Sequence, residues 1–444
     1  MGFESIAGTD VQYGLISFDA EGKEVSEPGG LMSQRLIDKA RADKATNIFF
    51  FCHGWKGDVP AAKDQYGRWI KAFALSADRA KADAAFPNFR PLFIGLHWPS
   101  LPFGDEEVSA ASFAAGGAGL GADALLQIYL DRLGGDPKIR APLEIIIAEA
   151  RRNSSPDELP AHVKKAYLDL NQALGLQSGG VDAPPDADRE GFDPDASFEA
   201  ANEEGPASFG GGFDLGGLLG PLRQLSYWTM KKRARTIGEG GMHDFLKNLQ
   251  TATADSRTRI HLMGHSFGTI VVSGMLGGPD AAGPLPRPVD SVALVQGAVS
   301  LWCYSGDIPF DGAGRGYFNR ILADRKVSGP IVTTQSKHDS AVGFLYPLAS
   351  RIKGSVNFAG AFPKFGAIGA FGLQGVLDSS RSELAMLGAS GPYQFESGKI
   401  YNVDGSQFIA HKDGVSGAHS DIAGPEVAHL IWAAALASAA GRTG

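Results

Sequence analysis

The chain has 444 residues and a formal net charge of −8, with a sequence pI near 5.7, a balance that argues against a general nucleic-acid binder. Hydrophobic residues make up 43%, enough for a sizeable core in one large α/β domain carrying insertions. The two cysteines, Cys52 and Cys303, imply no disulfide framework.

Apolar runs of strand length alternate with helix-length segments, the pattern of a mostly parallel sheet. Val11–Asp19 (VQYGLISFD) and the polar turn after it predict an opening hairpin. Asn47–His53 (NIFFFCH) is nearly all apolar, as a central strand buried on both faces requires. Within it, Cys52 reads as a small buried hydrophobe. Ala61–Asp83 carries one long helical pattern, and Arg90–Trp98 (RPLFIGLHW) is the next strand.

The rhythm then breaks. Residues 102–225 read as an insertion, a cap or lid between core segments 1–101 and 226–444. Asp123–Leu133, Ala141–Arg152 and Ala161–Gly175 are helix-like within it. Ser178–Gly205, rich in Asp, Glu, Pro and Gly, is expected to be mobile. Pro206–Leu222 is glycine-rich yet apolar and suits a hinged lid. The basic run Lys231–Arg235 (KKRAR) reads as a solvated helix face. Further on, Met242–Ala254 is helical, and Arg259–His265, Ser291–Gly297, Gly329–Ser336 and Gly398–Gly405 are strands. A second excursion, Asn357–Gly375, offers Phe358, Phe362, Phe365 and Phe371 as lining for an acyl channel, or as packing onto the core. The last helix, Pro425–Ala439, has proline in its first turn.

Met1–Asp10 lacks the basic start and apolar core of a secretion signal, and no apolar stretch is long enough to span a bilayer. The expected location is the cytoplasm.

Gly264-His265-Ser266-Phe267-Gly268 fits G-x-S-x-G between a strand and a helix, the setting of a nucleophile elbow. Such a turn pushes the serine hydroxyl above the sheet edge, and flanking side chains would collide with neighbouring backbone. The plainer reading is a tight turn whose serine caps the following helix. A serine needs a base to take its proton and an acid to orient that base. In the order Ser, Asp, His, the favoured acid is Asp339, just beyond Gly329–Ser336, with Asp307 as rival. The favoured base is His419, between a glycine-bearing loop and the last helix; His411, flanked by Lys412 and Asp413, reads as surface. An oxyanion needs two backbone N–H donors. Phe267 supplies one, and the His53-Gly54 turn presents Trp55 as the other, with Gly54 as the alternative.

These segments resemble the serine α/β-hydrolases. FFFCHGW resembles their oxyanion turn, IHLMGHSFG their elbow and GAHSDI their histidine loop. LHWPS, SYWTMKKRARTIGEGG and DSAVGFLYPLASR are similar to segments of a bacterial lipase-like subgroup. The resemblance covers roughly residues 1–101 and 226–444. It implies an α/β-hydrolase fold with a mostly parallel eight-stranded sheet flanked by helices, and ester chemistry on Ser266, Asp339 and His419. His-Gly-Trp replaces the triple glycine of many esterases. The expected partner is an acyl-ester small molecule, with no nucleic acid; a membrane-surface role is not favoured. No metal or organic cofactor is expected, since HGWKGD lacks zinc-ligand spacing. Amides or thioesters as substrates, and a non-catalytic binding module, are the alternatives.

Overall fold

Three consecutive phenylalanines mark the centre of the sheet. In β3 (Asn47–Cys52) every residue is buried. Successive strand side chains point to opposite faces. Phe50 and Cys52 therefore enter one buried cluster, while Phe49 and Phe51 enter another. Such a strand fits only the interior of a sheet with helices on both faces.

The computed structural model describes residues 2–55, 59–86, 88–100, 121–153, 156–203, 217–256, 258–280, 283–339, 362–412 and 417–440. The remaining strands are β1 (Glu4–Ser5), β2 (Gln12–Ser17), β4 (Pro91–His97), β5 (Arg259–His265), β6 (Ser291–Val295), β7 (Ile331–Gln335), β8 (Arg381–Ala385) and β9 (Ile400–Asp404). They form one nine-stranded sheet in the order β1-β2-β4-β3-β5-β6-β7-β9-β8. Every neighbouring pair is parallel except β1–β2.

Two expectations change here. The sheet has nine strands, not eight, because the polar, half-exposed segment Arg381–Ala385 joins as an edge strand. The opening antiparallel pair uses β1, which precedes β2. The turn after β2 closes only on a Phe18–Glu24 bridge, and β2 itself runs parallel to β4.

The principal helices are α1 (Met32–Ala42), α2 (Val59–Leu75), α3 (Asp78–Ala85), α4 (Ala122–Leu133), α5 (Pro137–Arg152), α6 (Ala161–Ala173), α7 (Pro194–Glu203), α8 (Gly220–Ile237), α9 (His243–Ala252), α10 (Gly268–Gly277) and α11 (Pro425–Ala440). Helices α2, α3 and α11 cover the Phe49 face, where Trp432 stacks on Phe73 at 4.1 Å between ring centroids. Helices α1, α8, α9 and α10 cover the Phe50 face, and α4 to α6 send Leu126, Ile146 and Tyr167 into the same cluster. The single helix expected over Ala61–Asp83 breaks into α2 and α3. Ser76 Oγ accepts the Asp78 N–H at 3.2 Å, offering the backbone a local partner in place of the helical ladder.

The acidic stretch expected to be mobile is instead held by the basic run expected to be solvated. Lys231 and Asp188 are almost fully buried and pair at 2.6 Å. Arg235 binds Asp186 at 2.6 Å, and Arg233 is also buried, donating to the Pro99 carbonyl. The two runs, far apart in the chain, satisfy each other's charge. Burial pushes the Asp188 carboxyl up to about 7 and the Lys231 ammonium down, and each partner offsets part of the other's desolvation. Breaking a buried pair on one side leaves a lone charge inside. Lys231→Met is therefore expected to lower unfolding free energy by about 3–5 kcal/mol, and adding Asp188→Leu to recover most of it; urea titrations of the two variants test this. Residues 206–216 of the expected lid lie outside the described residues, whereas Leu218, Leu219 and Leu222 are buried against the Phe50 face.

Candidate active site

Because β2 to β9 all run the same way, their C-terminal ends share one edge, where ligand sites of open α/β sheets lie. The strand order sets β4, β3, β5, β6, β7 and β9 side by side. Along that edge follow Trp98 and Ser100, His53 and Gly54, Ser266, Gln296, Asp339 and His419.

Ser266 directly follows β5 with φ of +55°, a left-handed conformation that non-glycine residues avoid unless the surroundings impose it. The surroundings do so. A Cβ on Gly264 would lie 2.5 Å from the Gly268 carbonyl oxygen, and one on Gly268 would lie 2.3 Å from that of Cys52. Strand and helix thus approach too closely for any side chain at either position. The Ser266 carbonyl accepts from Ala298 N–H and Thr269 N–H, each at 3.1 Å, which locks the turn. The Ser266 side chain does not cap α10.

It faces an imidazole instead. Ser266 Oγ lies 2.7 Å from His419 Nε2, and His419 Nδ1 lies 2.8 Å from Asp339 Oδ2. All three residues are buried. A carboxylate only accepts, so Nδ1 carries the ring proton and the Nε2 lone pair faces the serine hydroxyl. A proton can leave Oγ for Nε2 without any side chain moving far. Asp339 is held from two sides. Gln296 Nε2 donates to the same Asp339 oxygen at 2.9 Å, and Thr334 Oγ1 donates to Gln296 Oε1 at 2.9 Å. Gln296 itself has φ of +44°. Ser336 N–H donates to the Gly369 carbonyl, so the turn Ile368–Phe371 packs against the loop that carries Asp339. A Cβ on Gly369 would come within 3.2 Å of Asp339 Oδ2.

The turn after β3 presses against Ser266: a Cβ on Gly54 would sit 2.4 Å from Ser266 Cβ. Its orientation follows from His53. Trp98 N–H reaches His53 Nε2 at 3.4 Å, which makes Nε2 the acceptor. Burial pushes the ring's pKa down to about 3, so it is neutral, and its proton sits on Nδ1. Nδ1 then donates to the Gly54 carbonyl at 2.8 Å, joined there by Ser100 Oγ at 3.0 Å. A trans peptide turns its N–H opposite to its carbonyl, so pinning the Gly54 oxygen fixes the direction of the Trp55 N–H. Tyr66 on α2 supports the same turn, accepting the His53 N–H at 2.9 Å. Phe267 precedes the first turn of α10, where N–H groups have no intrahelical acceptor, and its ring packs between Trp55 and Tyr227. His265, between Gly264 and Ser266, contacts Gln65 and the His419 main chain.

The rival residues lie elsewhere. Asp307 is exposed on a loop with Ser305, and His411 is exposed, its N–H bound to Asp421 Oδ2 at 2.8 Å. Phe365 and Phe371 pack against a small core of Leu301, Trp302 and Ile308, the second of the two roles offered for them; Phe362 is exposed, and Phe358 lies outside the described residues. Gln296, Gln65 and Ser100 were not anticipated. The one signal for Gln296 is a polar residue before glycine at the end of an apolar strand. Among the described residues, no group of three or more His, Cys, Asp or Glu is placed to hold a metal ion, and no helix is long and apolar enough to cross a membrane. No protein-family model matches the chain, and neither a curated protein nor a solved structure does.

Proposed function

We propose that the chain is a serine hydrolase of the α/β-hydrolase type, cleaving carboxylic esters through an acyl-enzyme on Ser266. The observation that carries the reading is the hydrogen-bonded line Ser266–His419–Asp339, set on a left-handed serine between two glycines that tolerate no side chain. Ser266 Oγ attacks the ester carbonyl carbon as His419 Nε2 takes its proton, and Asp339 steadies the resulting imidazolium. The N–H groups of Phe267 and Trp55 receive the oxyanion. On collapse the C–O bond to the alkoxy group breaks, and that oxygen takes the proton from Nε2. Water then attacks the acyl-enzyme with His419 again as base, releasing acid and free serine.

The test is a panel of p-nitrophenyl esters from acetyl to long-chain, an acyl-thioester and an anilide. The proposal expects turnover of at least one ester, with the anilide much slower. Hydrolysis of the thioester or anilide alone would overturn ester specificity, and no turnover of any substrate by folded protein would overturn the enzyme reading.

A further inference from the structure

The residue preceding the nucleophile touches the base loop, and its hydrogen bond there fixes a proton on one ring nitrogen. His265 Nε2 lies 2.9 Å from the His419 main-chain carbonyl oxygen. A carbonyl accepts and never donates, so Nε2 carries a proton. Burial, reinforced by the neighbouring His419, pushes the ring's pKa down to about 3, so the ring is neutral and its Nδ1 is bare. The group facing Nδ1 at 3.1 Å is the Gln65 Nε2 amide, a donor that matches the bare nitrogen. With the ring neutral, the reversed amide would aim its oxygen at that lone pair, so the amide turns its nitrogen toward Nδ1.

We infer that His265 is a positioning residue: held in its Nε2–H tautomer by Gln65, it grips the His419 carbonyl and sets the imidazole of His419 against Ser266. This rests on the hydrolase reading above. Two of the base loop's anchors lie beside His419. On its N-terminal side Ala418 N–H binds the His338 carbonyl at 2.9 Å and Gly417 bridges Asp339, which ties the base to the acid. The His265 bond ties it to the elbow itself, through the residue next to the nucleophile. Helix α2 carries the other end of the strut, and Trp69, one turn beyond Gln65, meets the His265 ring edge-on at 6.3 Å. Without the strut the acid still orients the imidazole, but the spacing from Nε2 to Oγ is no longer fixed. A misplacement of about 1 Å can cost about a hundredfold in rate.

The experiment compares His265→Leu, His265→Gln and Gln65→Leu in the full chain, reading kcat and KM on the best ester and the tautomer of His265 by ¹⁵N NMR of imidazole-labelled protein. His265→Leu is expected to lose about tenfold to a hundredfold in kcat with KM nearly unchanged. His265→Gln is expected to recover most of that loss, because its terminal amide can donate from nearly the same place. Gln65→Leu, on a half-buried helix face, is expected to fall between them and to lose the pure Nε2–H signature. Unchanged kcat in all three variants of an active enzyme, or a wild-type His265 protonated on Nδ1, overturns the inference while leaving the proposed function standing. A folded wild type with no ester turnover overturns the proposed function, and the tautomer then decides the strut alone.

Discussion

Ser266→Ala is expected to lower kcat on the best ester by about a million-fold while leaving the fold intact. The serine's main-chain bonds, to Ala298, Thr269 and Val295, need no hydroxyl. The only contact the substitution removes among those described for the side chain is the 2.7 Å bond to His419. What is expected to remain is rate enhancement from the proposed oxyanion donors and substrate binding, about a thousandfold to ten-thousandfold over water. Steady-state kinetics on protein whose thermal melting matches wild type reads this directly. Retention of a tenth of the activity would mean that another group attacks the ester.

The second large effect belongs to Asp339, the proposed acid. Asp339→Ala is expected to lower kcat by about 10⁴-fold with KM little changed. Removing the carboxylate strips His419 Nδ1 and Gln296 Nε2 of a shared acceptor. The imidazole is then free to turn or to move its proton to Nε2, and in that tautomer it cannot take the serine's proton. Gln296→Leu leaves the carboxylate but loosens it, so a smaller loss is expected. Equal activity of Asp339→Ala and wild type would remove the acid from the account.

Legibility in the sequence followed the range of the interactions. The elbow was legible because its constraints are local: two glycines, a strand and a helix lie within a few residues of Ser266. Asp339 and His419 were legible only through chain order, as the polar residues following late strands. The structure brings those two and Ser266 together because parallel strands end on one edge. Gln296 and Gln65 were not legible. Gln65 meets His265 across 200 positions of sequence, and nothing local distinguishes it from any other helical glutamine. The acidic run 178–205 and the basic run Lys231–Arg235 each looked solvated when read alone. Their mutual burial, through Asp188–Lys231 and Asp186–Arg235, is a property of the pair. Strand β8 escaped notice because an exposed edge imposes no apolar alternation.

The proposed chemistry requires the Ser266 hydroxyl to be a nucleophile activated by His419. Intact-protein mass spectrometry after reaction with a fluorophosphonate, followed by peptide mapping, tests it most directly. One adduct per chain is expected, on the peptide bearing Ser266, absent from Ser266→Ala and strongly slowed in His419→Ala. A folded wild type that takes no label, or one labelled equally well after Ser266→Ala, would contradict it.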